Sequence, residues 1–203
     1  AEISPALNLD QNNIIIDQPK EINYWSQHLL NPYNNLNNIY SNVSFNKKRK
    51  IITGKRGPVN IIQPLYFNGN ICHVTNDGFI HCVNTLTKET LFKIDVKIDV
   101  TKKYEVVRGG IAYYDNQIVF VDGYGQIKLL NAETGDQIWS TKIEFPILSP
   151  PLIYRDNIYF ISADNRIFAL NLSDGYINWS FQTITETKKN LFTSSPVAFE
   201  DTI

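Results

Sequence analysis

The sequence predicts an all-β protein, and within that class a β-propeller of four-stranded antiparallel blades with an incomplete ring. Two observations carry this. A unit of about 40 to 47 residues recurs, each copy holding four short apolar or alternating runs separated by turn residues, which is the period of four-stranded blades. No run of ten or more residues spaces its apolar positions by three and four, so helical periodicity is missing.

The repeat is read by superposing segments. Residues 110–118 (GIAYYDNQI) align with 151–158 (PLIYRDNI), with Ile118 set 40 residues before Ile158. Each copy then runs through a second and a third strand to Asn131 or Asn171, to Gly135 or Gly175, and to Trp139 or Trp179. An upstream copy, 64–71 (PLYFNGNI), lies 47 residues before the next, and Phe92 takes the place of the later tryptophans. A further copy opens at Ser195-Pro196 and stops at Ile203, so the expectation is either a piece of a longer protein or a truncated copy. Strands are expected near 61–67, 71–75, 79–84 and 90–95, near 110–114, 117–122, 126–131 and 136–142, and near 150–154, 157–162, 166–171 and 176–182. The blades then span about 58–97, 108–145 and 147–184, with the start of a fourth at 193–203.

Turn chemistry supports each boundary. Gly135 and Gly175 stand at the turn into the outermost strand, where a positive φ is expected and glycine adopts it without steric cost. The tryptophans that follow are expected to wedge against the neighbouring blade. Residues 75–79 read as a hairpin loop with Gly78 in the left-handed position, and Gly125 and Asn165 take the same place in the later blades. That loop sets Thr75 opposite Phe79, hence Val74 opposite Ile80, His73 opposite His81 and Cys72 opposite Cys82. The cysteines share one face and the histidines the other. One metal ion cannot gather all four side chains. Cys72 and Cys82 are left as either a cross-strand disulfide or two adjacent thiols.

Residues 1–57 differ in composition. The stretch 31–38 is polar and turn-rich and reads as loop. Ile22 to Ser26 resembles the outer strand around Trp179, so Trp25 is expected in a closing strand whose own blade lies outside this chain. Lys47 to Lys50 together with Lys55 and Arg56 form a basic cluster, either an exposed loop or an electrostatic docking patch.

Composition narrows the function. Nineteen basic residues stand against 20 acidic ones, which argues against nucleic acid as the main partner. No nucleophile elbow, phosphate loop or zinc-protease motif is present in the sequence. The turn carboxylates Asp115, Asp122, Asp156 and Asp164 are explained by turn formation. No catalytic, cofactor-binding or metal-binding residue is singled out.

The pattern from Asn131 to Trp139, repeated from Asn171 to Trp179, resembles the tryptophan-docking motif of PQQ-like repeats across about residues 60–203. Within that class, the Trp25 segment, the pair Gly109-Gly110 and the blade spacing look most like the family of the outer-membrane assembly lipoprotein BamB. The resemblance implies a non-catalytic scaffold in the periplasm, held at the outer membrane by a lipid anchor outside this chain. It also implies a partner, a periplasmic domain of the barrel-inserting protein BamA, and contact through the loop 183–195, where Lys188, Lys189, Leu191 and Phe192 are the candidate residues. The alternatives are a fragment of a PQQ-dependent quinoprotein dehydrogenase and a propeller sensor domain of a larger receptor.

Overall fold

The computed structural model describes residues 17–36, 38–40, 62–75, 77–97, 108–182 and 194–203. Among these residues, twelve strands form three four-stranded antiparallel sheets. The first blade holds β1 (Leu65–Phe67), β2 (Asn70–Val74), β3 (Phe79–Asn84) and β4 (Thr90–Asp95). The second holds β5 (Gly109–Tyr114), β6 (Gln117–Asp122), β7 (Gln126–Asn131) and β8 (Gln137–Lys142). The third holds β9 (Leu152–Tyr154), β10 (Asn157–Ile161), β11 (Arg166–Asn171) and β12 (Ile177–Gln182). In each sheet the strands lie side by side in chain order. The fold is an incomplete β-propeller.

The same three turns build every blade. The first is a two-residue hairpin with both residues at positive φ: Asn68 and Gly69 (48° and 74°), Asp115 and Asn116 (43° and 60°), Arg155 and Asp156 (47° and 59°). Such turns match the right-handed twist of their flanking strands. The second turn places Gly78, Gly125 and Asn165 at positive φ. In the third, the Asn131 side-chain oxygen accepts the Glu133 and Thr134 N–H groups at 2.8 and 3.1 Å. Asn84 does the same for Leu86 and Thr87. A β-bulge sits at one equivalent position per blade, after Cys82, Leu129 and Ala169, where the extra residue bends the outer strand locally.

Alternation along the strands divides the core. Ile118 and Phe120 of β6 join Leu65, Phe67, Cys72, Cys82 and Phe92 between the first and second blades. Val119 and Val121 of the same strand join Ile153, Ile158 and Phe160 between the second and third. Both faces of the middle blade are therefore buried, and β6 carries an unbroken apolar run rather than a half-polar one. Between blades, the first strands approach one another, β1 against β5 and β5 against β9. Those strands mark the axial side of the fan, and β4, β8 and β12 its rim.

The N-terminal segment departs from the expected closing strand. Trp25 does not extend a rim strand. It pairs with Tyr66, on the free axial edge of β1, through hydrogen bonds of 2.6 and 3.0 Å. The physical reason is the edge itself: the first strand of each blade presents backbone groups with no partner in its own sheet, and such groups must be satisfied.

Candidate functional site: blade joints and the axial edge

The rim joints follow one rule. The Phe92 ring of β4 lies where a side chain on Gly135 would project, 2.7 Å from the position of its Cβ. The Trp139 ring of β8 lies in the same relation to Gly175, at 2.8 Å. Each aromatic thus covers the left-handed glycine of the next blade, so that glycine serves two ends: its φ of 80° or 74° and the absence of a side chain under the ring. The sequence discloses the first and not the second, because the aromatic and the glycine it meets lie in different repeats. Trp139 also donates its indole N–H to the Leu172 carbonyl at 3.0 Å. In the first blade Lys88 adopts a φ of 64° at the glycine position.

Trp179 occupies the equivalent place in β12 but not the equivalent environment. It is 44% exposed and meets Tyr159 at 5.9 Å between ring centres. This differs from the expected wedge, because no blade that would present a glycine to it is among the described residues. Ile177 and Phe181 in the same strand are exposed with it.

Cys72 and Cys82 form a disulfide, with their Cα atoms 4.1 Å apart. The register around it is the one the turn dictates, with Cys72 facing Cys82, His73 facing His81 and Val74 facing Ile80. Both cysteines are fully buried against the second blade. On the opposite face, His81 Nε2 lies 3.1 Å from the Thr90 hydroxyl. Burial pushes the His73 imidazole below its ordinary value, and the neighbouring His81 adds to the effect; burial and Lys93 lower His81 in the same direction. Burial also lowers His28. Among the described residues no group of three or more His, Cys, Asp or Glu side chains is placed to hold a metal ion, and no helix is long and apolar enough to cross a membrane.

The axial edge carries the feature that sequence reasoning missed. After Trp25, Ser26 accepts the Tyr113 N–H on β5 at 2.6 Å. Gln27, 3% exposed, places its side-chain amide on β9: Oε1 accepts the Ile153 N–H at 2.8 Å and Nε2 donates to the Ile153 carbonyl at 2.9 Å. Three consecutive residues therefore reach three consecutive blades. Most of these bonds use main-chain atoms, which leave no trace in residue type. The candidate contact residues Lys188, Lys189, Leu191 and Phe192 and the basic cluster at 47–56 lie outside the described residues.

Residues 25–203 match the family model described as outer membrane protein assembly factor BamB. The chain belongs to that family. It is 23% identical over 125 residues to the BamB of Nitrosomonas eutropha, a stretch covering 62% of this chain and 29% of that protein. A shorter stretch of 69 residues, 32% of this chain and 14% of the relative, is 41% identical to the tetrathionate hydrolase of Acidithiobacillus ferrooxidans. Among solved structures, BamB from Moraxella catarrhalis superposes with a TM-score of 0.53 at 20% identity, over 61% of this chain and 35% of that one. The chain thus spans about a third or less of the length of these relatives.

Proposed function

We propose that the chain is part of a non-catalytic, protein-binding scaffold, an accessory subunit of the machinery that assembles outer-membrane β-barrels. The family match across residues 25–203 carries this reading. The geometry agrees with it. Blade after blade, buried side chains go into joints and turns: the aromatic pairs with the glycine, and the buried Asp122 carboxylate accepts the Tyr124 and Gln126 N–H groups of its own turn. A disulfide in the first blade suits an oxidising compartment such as the periplasm. In this reading a lipid anchor outside this chain holds the protein at the outer membrane. The partner is a BamA-like periplasmic domain, met through Lys188, Lys189, Leu191 and Phe192.

The test is direct binding of the chain to the purified periplasmic domains of BamA from the same source, followed by surface plasmon resonance. Saturable binding that falls at least tenfold in a Leu191→Ala/Phe192→Ala variant is expected. No binding by the folded chain would overturn the reading. A second reading, an enzyme on a PQQ-type propeller, draws on the stretch shared with a tetrathionate hydrolase. Sulfur-compound turnover or a quinone absorption spectrum in the full-length protein would establish that alternative.

A further inference from the structure

The bonds along the axial edge fall at one repeat position. Tyr66, Tyr113, Ile153 and Ala198 each stand two residues before the first-turn residues Asn68, Asp115, Arg155 and Glu200, all of which have positive φ. The backbone N–H of every one is taken by the N-terminal segment. Tyr66 donates to the Trp25 carbonyl at 3.0 Å, Tyr113 to Ser26 at 2.6 Å and Ala198 to Pro32 at 2.9 Å. Ile153 donates to Gln27 Oε1 at 2.8 Å. In a β-strand the direction of an N–H is set by its count from the turn. A fixed count in each repeat therefore delivers one donor per blade to the axis. The row is a property of the fold, and the segment at residues 25–32 is its occupant.

The occupant binds chiefly through oxygens that any peptide has. Three of the four acceptors are main-chain carbonyls. The fourth is the Gln27 amide, which donates to and accepts from Ile153 as a peptide group in an added strand would. The segment is also held under strain. Leu29 and Leu30 have φ of 52° and 87°, a left-handed conformation that costs free energy for a side-chain-bearing residue. A turn bond from the Leu30 N–H to the Gln27 carbonyl, at 3.1 Å, keeps them there. Such strain persists where surrounding contacts over-determine it, and it is released when the segment leaves.

We propose that the axial row of N–H donors is a binding site for peptides presenting main-chain carbonyl oxygens, occupied in cis by residues 25–32 and open to a peptide in trans when that segment lifts. The proposal does not depend on the scaffold reading.

The experiment uses the full chain, unmodified and as Gln27→Leu, which removes both bonds to Ile153 while leaving the segment in place. A labelled peptide with the sequence of residues 24–32 is titrated into each and followed by fluorescence anisotropy. Binding to Gln27→Leu at least tenfold tighter than to the unmodified chain is expected, with loss of binding when the peptide's own Gln is replaced by Leu. No binding by the folded variant overturns the proposal. A measurement on the unmodified chain stands whether or not the variant folds. Amide hydrogen exchange at Tyr66, Tyr113, Ile153 and Ala198 should be slowed relative to exposed edge amides, and slowed at least threefold further by excess peptide. Exchange at those four amides that the peptide leaves unchanged also overturns it.

Discussion

Trp139 and Trp179 occupy the same position of the same repeat, on the rim strands β8 and β12, yet only one is part of a joint. Trp139 covers Gly175 and bonds to Leu172. Trp179 is 44% exposed and touches a tyrosine of its own blade. Local sequence makes both strands alike, down to the β-bulge beside the indole. The neighbour makes them differ. In a propeller the stability carried by a rim aromatic belongs to the pair of blades, as it does in other repeat architectures.

The largest expected effect tests that statement. Trp139→Ala should destabilise the chain by about 3 kcal/mol, read as a lower midpoint in urea unfolding. A loss under about 1 kcal/mol would show that the joint is held by the rest of the core between blades two and three. Gly175→Ala attacks the same joint from the other side. Its new methyl group meets the indole and is carried by a residue at φ 74°, so the loss should be about 2–3 kcal/mol. Combined with Trp139→Ala it should be markedly less than additive, since removing the ring removes the clash.

The first joint sharpens the comparison. Phe92 is a smaller wedge than a tryptophan, and it sits opposite Cys82 in the ladder, beside the disulfide. A cross-link closing so short a loop contributes about 2–3 kcal/mol in the chain-entropy account. The Cys72→Ala/Cys82→Ala variant should lose that much in thermal or urea melts. A fully reduced protein of unchanged stability would show that the Phe92 joint suffices alone. Trp179→Ala should lose only about 1 kcal/mol, the scale of one partly exposed ring contact. A loss matching that of Trp139→Ala would mean that its open face is covered in solution.

How far these joints could be read from the sequence depends on what kind of atom makes them. The twelve strands and the cysteine register follow from turn residues such as Gly78 and the Asn131-to-Gly135 loop, whose side chains fix the local backbone. Lys88 stands where the later blades have glycine, and it takes the same left-handed φ. The covering of Gly175 by Trp139 is a contact between repeats 40 residues apart in register, which no local pattern encodes. The placement of Trp25 is not legible in the sequence, because Ile22 to Ser26 resembles a rim strand in composition. The interaction that decides its position is made by main-chain N–H and C=O groups on the axial edge, and these are common to every residue.

The smallest effect expected concerns the two faces of the first hairpin, one sealed by the disulfide and the other carrying His73 and His81. Burial favours the neutral imidazole of His73 in the folded chain, and the proximity of His81 opposes charging further. The unfolded chain binds protons with the ordinary histidine value of about 6.5. As pH falls below that value the unfolded state gains protons that the folded state refuses, so stability must decrease toward acid until the folded imidazole titrates. Urea melts between pH 7.5 and 5.5 should show this decline, and His73→Gln should flatten part of it. An unchanged slope in that variant would assign the decline to other groups and leave the histidine face a passive one.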